Sequence, residues 1–484
     1  MGFHCIRTRR RALHWIALFG LATGAPGMSE SDAVLAGLTK NYDIQILRDG
    51  RELDSLDLAK LKAKWLPSIG LSGLHETRLT DSSRITTPIG VLGSSDEFRR
   101  NTAGLKIDQA LPGGAQVSST SSLVVTDHSD TSSTSYGVLQ SASLNVPLLR
   151  NAWGNSSLEF SLKMNRYEKT VLTLQRKLQM LGLLTVIRSD FWQLVRQGYV
   201  LEQARSRESF FQKQLDFVRI RFKTGGVSEM DTLFQSLELS KANQAALEAG
   251  YGLRGLKRRF AYSIGSDTSM IVLEPGEDLA VPPLPPEAAL WDSIRAWDPQ
   301  LQAFEATHQR WQAESAHWKN ALLPVLDAGL VQSLTRDGAN ITGAASAYQS
   351  NLTAQVRLSY DFPTSDRTLA LRQTRVEDRK TEREKARQEL TLRDSLSETI
   401  ANFEVLKLTL ANLEISRTIA TRKLALSEQR FFRGELDALS LQKSRQDFDE
   451  ISMALMEARI RLKLEQIFLE SLDGTMLRKY GMGD

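Results

Sequence analysis

Cysteine and histidine, which supply many catalytic nucleophiles and metal ligands, are scarce in this chain of 484 residues. The one cysteine, Cys5, stands close to the start, and only four of the six histidines lie beyond residue 14. Those four are His75, His128, His308 and His317. No two of them have the i, i+4 spacing with which one helix face binds a metal ion. The sequence therefore predicts no thiol chemistry, no helical metal site and no bound cofactor.

Acidic side chains are plentiful, but their arrangement does not indicate catalysis. From Arg375 to Glu389 they alternate with lysine and arginine, which is typical of a solvated helix face. The patterns HExxH, GxSxG and GxxxxGK, which would mark a zinc protease, a serine hydrolase or a phosphate-binding loop, are absent from the chain. We therefore expect a protein that is not an enzyme. A secreted enzyme would need a buried cluster of titratable groups.

Residues 1–25 predict a secretory signal peptide. Four arginines precede an apolar run from about Ala12 to Ala22, which is short for a membrane-spanning helix, and small residues follow it. An uncleaved anchor is the alternative. Cys5 lies inside this segment, so the mature chain would contain no cysteine. Because loss of the four arginines takes the net charge from +4 to zero, the basic composition does not indicate nucleic-acid binding.

Two stretches of the chain recur at fixed offsets. Arg221 to Gly265 aligns without a gap with Arg430 to Gly474, which is 209 positions later. A helix predicted from Ser31 to Trp65 matches a segment 257 positions later. Such offsets predict a duplicated architecture. The mature chain is accordingly divided into repeat 1 (residues 26–273), a proline-rich connector (274–287), repeat 2 (288–474) and a C-terminal tail (475–484).

Each repeat is predicted to place a pair of strands after its first helix. The clearest strand, Leu352 to Phe362, alternates apolar and polar residues over a length that suits a tilted strand crossing a bilayer. A half-buried strand of a soluble sandwich would look similar. The other predicted strands are Pro324 to Thr335 in repeat 2, and Pro67 to Thr80 and Ser135 to Val146 in repeat 1.

Repeat 1 contains an extra hairpin, residues 103–126, with a turn at Pro112, Gly113 and Gly114. Its second arm, AQVSSTSSLVVT, is rich in hydroxyl groups and makes a poor lipid-facing surface. We therefore expect this hairpin to lie in the lumen or outside the cell.

Long helices are predicted where proline is absent. All 13 prolines lie outside two blocks, Leu148 to Glu274 and Thr364 to Asp484. Each block has one obvious break, at Gly225 and Gly226 or at Gly434, which predicts helical hairpins over residues 148–265 and 364–474 with their tips at Gly225 and Gly434. Narrow apolar stripes on these helices favour packing against neighbouring helices.

This order of helix, strand pair and helical hairpin, present twice after an export signal, resembles the TolC-type outer-membrane efflux family. The resemblance spans Ser31 to Gly474. It is carried by LPSIGLSG (Leu66 to Gly73), LLPVLDAG (Leu322 to Gly329), SLNVPLLRNAW (Ser143 to Trp153) and the tips RFKTGGVSEMD and RFFRGELDAL. It implies an all-α dominated α+β membrane protein with two internal repeats. In it, a trimeric 12-stranded β-barrel with four strands per chain continues as a long α-helical periplasmic barrel.

The resemblance also implies a function and partners. The protein would be a homotrimeric, passive exit duct in the outer membrane of a Gram-negative bacterium, serving a tripartite efflux or type I secretion system. Its partners would be outer-membrane lipid, a periplasmic adaptor (membrane fusion) protein and an inner-membrane transporter of RND or ABC type, with no nucleic acid. The alternative is a periplasmic coiled-coil adaptor or scaffold without a pore. The cargo is not predicted.

By resemblance, the hairpin tips bind the adaptor and control opening. The residues assigned there are Gly225, Gly226, Val227, Asp231, Arg433, Gly434, Glu435 and Leu436. Leu436 and Phe431 stand where the family has arginine and tyrosine, and Ser440 and Lys443 replace an acidic pair. The family's closing salt links and acidic ring therefore do not carry over. Asp231 is expected either to pair with Arg433 or Lys443, or to be an acid favoured by the helix dipole.

Overall fold

A computed structural model describes residues 28–78, 83–87, 90–94, 98–128, 133–268, 271, 283–338, 349–362 and 364–481. The predicted signal peptide, residues 274–282 of the predicted connector and residues 482–484 of the predicted tail lie outside this description. The described part of the connector, residues 283–286, has no regular structure, and the first residue of the next helix follows it.

Helices and strands alternate along the chain in blocks. The described helices are α1 (Glu30–Lys40), α2 (Tyr42–Ala63), α3 (Ser157–Lys223), α4 (Glu229–Ile264), α5 (Glu287–Trp297), α6 (Pro299–Ala321), α7 (Ser365–Phe432), α8 (Ala438–Leu472) and α9 (Thr475–Lys479). The described strands are β1 (Ser68–Arg78), β2 (Ser83–Thr87), β3 (Gly90–Ser94), β4 (Phe98–Ala110), β5 (Gln116–His128), β6 (Ser133–Pro147), β7 (Val325–Gly338) and β8 (Gln349–Ser359).

The chain divides into two compact units, which are described separately. The first unit lies within residues 1–46, 180–291 and 396–484. In it, α3 buries the apolar stripe predicted from the sequence, with Leu184, Ile187 and Phe191 each at most 2% exposed. The ring of Phe191 meets that of Phe260 on α4 at a centroid distance of 6.1 Å. The stripe thus forms a helix-to-helix core.

The second unit lies within residues 47–179 and 292–395, and it contains the sheets. Six strands form one antiparallel sheet in the order β1-β4-β5-β6-β7-β8, and β2 and β3 form a separate pair. The predicted strands of both repeats are therefore present in the main sheet. The pairing of β6 with β7, from Pro147 opposite Asp327 to Tyr136 opposite Gly338, joins the strands of the first half to those of the second.

The count of four strands per chain was wrong, because the extra hairpin belongs to the sheet. Its arms are β4 and β5, which pair over their whole length and extend the predicted 103–126 to residues 98–128. β4 also pairs with β1, and β5 with β6. The backbone N–H and C=O groups of a strand need hydrogen-bond partners, and here β4 supplies them to one side of β1 and β5 to one side of β6. Hydroxyl-rich composition therefore did not exclude it from the sheet.

The predicted helix from Ser31 to Trp65 is two helices, because Asn41 ends α1 and caps α2. The Asn41 N–H donates to the Gly37 carbonyl at 2.9 Å, while its Oδ1 accepts from the Ile44 N–H at 3.1 Å. Asp298, which is 257 positions later, makes the same bonds between α5 and α6. Its N–H donates to Ile294 at 2.8 Å, and its Oδ1 accepts from Leu301 at 2.7 Å. These matched caps support the interpretation of two repeats.

Two further boundaries differ from the prediction. The first long helix begins at Ser157, because residues 148–156 form an irregular strand-to-helix junction. Within it Asn151 and Trp153 have positive φ values of 60° and 43°. The predicted C-terminal tail contains the short helix α9, whose Met476 and Leu477 are at most 1% exposed. The tail therefore packs into the first unit.

Candidate functional site at the hairpin tips

The first hairpin turns where α3 ends at Lys223 and α4 begins at Glu229. Gly225 has a φ of 77°, in the left-handed region that is unfavourable for residues with a Cβ atom. Its N–H donates to the Phe222 carbonyl at 3.0 Å, and the Gly226 N–H donates to the Arg221 carbonyl at 2.8 Å. These two bonds form the Schellman motif that closes a helix C-terminus. The sequence prediction of a glycine turn is confirmed here.

The second hairpin has the same two backbone hydrogen bonds at its turn. Gly434 has a φ of 80°, its N–H donates to the Phe431 carbonyl at 2.9 Å, and the Glu435 N–H donates to the Arg430 carbonyl at 2.9 Å. Helix α7 ends at Phe432, and helix α8 begins at Ala438. The two tips therefore share one backbone geometry at positions 209 apart.

The helices after the two turns are capped by the same two residue types in exchanged positions. Ser228 caps α4: its Oγ accepts from the Asp231 N–H at 3.2 Å, and Asp231 Oδ2 accepts from the Ser228 N–H at 3.0 Å. This reciprocal pair is a capping box. Asp437 caps α8, and its Oδ2 accepts from the Ser440 N–H at 3.3 Å. The serine at the position matching Asp231 is thus compensated by an aspartate at the position matching Ser228.

Within the chain, this cap agrees with the second alternative for Asp231. Its hydrogen bonds in the described structure go to Ser228, as for a helix N-terminal acid, and the described residues show no ion pair between Asp231 and Arg433 or Lys443. Hydrogen bonds from the side chain and then the backbone of Ser228 hold the pKa of the Asp231 carboxyl below its usual value. Arg433 instead lies 4.0 Å from Glu435. That pair is exposed, so it contributes little stability.

Val227 and Leu436, at matching positions of the two tips, face inward. Both pack against an apolar cluster of the first unit. Its buried members are Phe210, Phe211, Val218, Ala242, Leu424, Phe431 and Leu441. Since these two side chains fix the turns to the core, their exposed neighbours Gly225, Gly226, Gly434 and Glu435 form the surface of the tips.

A polar layer next to these tips was not predicted from the sequence. Glu238 is 7% exposed, and its carboxylate accepts from Lys241 Nζ at 2.8 Å and from Gln442 Nε2 at 2.9 Å. Arg445, also 7% exposed, lies 3.0 Å from Asp449. Burial raises the pKa of the Asp449 carboxyl, and the charge of Arg445 opposes that rise. The only sequence signal would have been charged residues within an apolar stripe.

A second buried charge cluster joins three distant segments of the first unit. Arg188 of α3 is 1% exposed; its Nε donates to Glu30 of α1, and its Nη1 donates to Glu470 of α8 at 2.5 Å. Burial alone would lower the pKa of Arg188, but the two carboxylates raise it, so the guanidinium stays charged. Sequence reasoning missed this cluster because its members are separated by 158 and 282 positions.

One glycine pattern overlooked in the sequence is resolved by the fold. Gly250, Gly252 and Gly255 have the GxGxxG spacing of dinucleotide-binding loops. All three lie inside α4, whereas a phosphate-binding loop must follow a strand and open a helix. Among the described residues, no group of three histidine, cysteine or acidic side chains is placed to hold a metal ion. None of the described helices combines the length and apolar character needed to span a membrane.

Comparison with known proteins gives structural matches only. No protein-family model and no curated protein matches the chain. The channel CusC superposes with a TM-score of 0.69 at 10% identity, covering 94% of this chain and 95% of CusC. The outer-membrane channel CmeC of Campylobacter jejuni gives 0.67 at 11% identity, covering 98% and 94%. The outer-membrane channel MtrE of Neisseria gonorrhoeae gives 0.64 at 13% identity, covering 92% and 88%.

The chain has the fold of these outer-membrane channels. The superpositions extend over nearly the whole described chain, so this channel fold includes the strands as well as the long helical hairpins. The fold expected from the resemblance is therefore confirmed in its helix-rich α+β character. At identities near 10% the match concerns the backbone, and it says nothing about the side chains of the tips.

Proposed function

We propose that the protein is a passive exit duct in the outer membrane of a Gram-negative bacterium, with its helical part in the periplasm. The observation that carries this proposal is a six-stranded sheet with one mainly apolar and one mainly polar face, in a chain with the channel fold. On β8 the apolar face is formed by Leu352, Ala354, Val356 and Leu358, and the polar face by Asn351, Thr353, Gln355 and Arg357. Lipid would contact the first face and water the second.

The active assembly is a homotrimer in this proposal. Among the described residues, β1 and β8 each have one edge without a partner strand. An unpaired strand edge is not tolerated in lipid, and one sheet of six strands is smaller than the smallest membrane barrels, which have about eight. When copies associate, β8 of one copy pairs with β1 of the next, and no strand edge remains unpaired. The number of copies, three, is the one that the resemblance to the TolC-type family implies.

The hairpin tips are the proposed docking and opening end of the duct. Their exposed glycines and charged residues would meet a periplasmic adaptor, which connects the duct to an inner-membrane transporter of the RND or ABC type. The system would be a tripartite efflux pump or a type I secretion apparatus. The identical Schellman turns support this role, because they present the backbone of both tips in the same way.

The test is to isolate the protein from outer membranes and to record conductance in planar bilayers. Trimers with stable conductance are expected. Val356→Arg places a charge on the lipid face, which destabilises the inserted barrel by about 2–4 kcal/mol near the bilayer centre. This variant should fail to insert. The neighbouring Gln355→Arg places the same charge on the polar face and should permit insertion. A soluble monomer without conductance would contradict the proposal, and is what a scaffold protein without a pore would give.

A further inference from the structure

The hairpin β4–β5 occupies a place in the main sheet that could otherwise be filled by direct pairing of β1 with β6. All 11 residues of β1 pair with β4, from Ser68 opposite Asp108 to Arg78 opposite Phe98. All 13 residues of β5 pair with β6, from Gln116 opposite Asn145 to His128 opposite Ser133. The hairpin is therefore as long as its neighbours and has no free edge of its own.

The apolar face of the sheet continues across this hairpin. Leu105 and Ile107 of β4 stand opposite Leu71 and Ile69 of β1, on one face. On the same face of β5 lie Val117 and Leu123, opposite Leu144 and Val138 of β6. Gln109 in β4 and Ser119 and Ser121 in β5 interrupt this face. The residues on the other face of the hairpin are mainly polar or small: Thr102, Gly104, Lys106, Asp108, Ser118, Thr120 and Ser122.

The turn of the hairpin is fixed to the junction between β6 and α3. The Gly113 N–H donates to Glu159 Oε1 at 3.0 Å, and the Gly113 carbonyl accepts from the Trp153 N–H at 3.3 Å. Gly114 has a φ of 82°, and a Cβ there would lie 2.5 Å from the Asn151 carbonyl oxygen. Such contacts hold the turn at the end of the sheet where the long helix begins.

The direction of the edge strands permits closure by further copies. Strands in the sheet alternate in direction, and six is an even number, so β8 of one copy would meet β1 of the next in antiparallel orientation. The two edge strands have equal lengths of 11 residues. Their apolar faces are also exposed, with Leu71 at 84% and Val356 at 74%. A second copy of this chain is thus the partner that both edges fit.

We propose that β4 and β5 are wall strands of the pore, so that three copies close an 18-stranded barrel and not the 12-stranded one expected from the resemblance. This inference rests on the proposed trimeric duct. Because barrel diameter grows roughly linearly with strand number, the barrel would be about 1.5 times as wide as one with 12 strands. Barrels of 16–18 strands leave an open aqueous channel. The membrane segment of this duct therefore admits larger solutes than a 12-stranded wall would.

Thiol labelling in a Cys5→Ser background tests the position of the hairpin, because Cys5 is the only native cysteine. Single cysteines replace Leu105 and Leu123 on the apolar face, and Thr120 and Ser122 on the polar face. A charged, water-soluble maleimide should label Thr120→Cys and Ser122→Cys at least tenfold faster. Leu352→Cys and Thr353→Cys on β8 are the matched references for lipid and water. Equal labelling of both faces of β5 would overturn the inference.

Removal of the hairpin provides a second readout. Deletion of residues 98–128 leaves β1 and β6 antiparallel, so a narrower barrel can still close. In planar bilayers, the size of the largest polyethylene glycol that enters the pore should fall, and strand counts from electron cryomicroscopy should be 18 for the intact chain and 12 for the deletion. A count of 12 in the intact trimer would refute this inference while the exit-duct function stands. Absence of any pore in the intact protein would refute both. If the deletion variant does not assemble, the labelling decides.

Discussion

The side chain of Arg221 in the first hairpin lies against Gly434 in the second. A Cβ built at Gly434 would be 3.4 Å from Nη1 of Arg221 and 3.6 Å from its Nη2. The same guanidinium lies 5.9 Å from the ring centroid of Phe217, which contacts Phe431 and Phe432 at centroid distances of 5.3 and 5.1 Å. The second turn is therefore in contact with residues of the first hairpin, and we expect a change at Gly434 to affect both tips.

Replacement of Gly434 by valine should loosen the tips without preventing trimer assembly. A branched side chain at a φ of 80° costs about 1–2 kcal/mol and would displace Arg221. We expect faster amide hydrogen exchange in residues 221–228 and 430–438, and loss of export in cells. Gly255→Ala is the control, because Gly255 is helical and has open space around it. Unchanged exchange and export in Gly434→Val would contradict the role given to the turn.

The exchanged caps predict that Ser228→Ala weakens the first tip, while an exchange of the two residues does not. Loss of the capping oxygen typically costs about 1 kcal/mol of helix stability. The double variant Ser228→Asp, Asp231→Ser reproduces the residues at Asp437 and Ser440. Its amide protons at the first tip should therefore be protected from hydrogen exchange about as well as those of the unmodified protein. A double variant as weak as Ser228→Ala would show that the two caps are not equivalent.

These caps should also weaken in acid. Hydrogen bonds from Ser228 and from Ser440 lower the pKa values of Asp231 and Asp437. A group with a lowered folded pKa contributes stability above its unfolded pKa of about 4, and loses it as the pH falls through the folded value. Protection factors at both tips, corrected for intrinsic exchange rates, should therefore be constant near neutral pH and decrease below pH 4. In the Asp231→Asn variant the first tip should lose this dependence, whereas the second keeps it.

Arg188→Met should destabilise the first unit strongly, because the half-buried carboxylates of Glu30 and Glu470 would lose the guanidinium that they share. Breaking a buried ion cluster at one member typically costs about 3–5 kcal/mol. Thermal unfolding in detergent should show a large decrease in Tm. The triple variant Arg188→Met, Glu30→Gln, Glu470→Gln also removes the two carboxylate charges. It should recover a substantial part of the decrease in Tm. A triple variant no more stable than Arg188→Met would mean that packing, not charge, sets the cost.

Gly114→Ala should detach the β4–β5 turn from its junction. The new Cβ would lie 2.5 Å from a backbone oxygen, which cannot move aside as a flexible side chain can. Gly154→Ala is the matched control: it has a similar φ of 84° but no atom within 4 Å of its Cβ position. Reduced yield of heat-resistant trimers is expected for Gly114→Ala and a smaller effect for Gly154→Ala. Equal effects would assign the cost to backbone strain alone.

Much of the fold could be predicted from the sequence because its signals are local. Alternation identified β8, the glycine at each tip located the turns, and the absence of proline outlined the long helices. The extra hairpin was misplaced because Ser119 and Ser121 obscure an apolar face that becomes evident only through the register with β4 and β6.

The tips were predicted in backbone but not in detail. Whether Asp231 caps a helix or forms an ion pair depends on side-chain geometry that spacing does not determine. The Arg188 cluster depends on contacts between segments far apart in sequence, for which one sequence contains no local pattern.

The hairpin β4–β5 suggests how the calibre of such a duct can evolve. Insertion of a hairpin adds one strand that runs up and one that runs down. The strands on both sides of it therefore keep their antiparallel order, which insertion of a single strand would break. In an assembly of identical subunits, one such insertion in the gene is multiplied around the whole ring. Calibre would then change in discrete steps of two strands per subunit, while the sequences of the two hairpin tips need no simultaneous change.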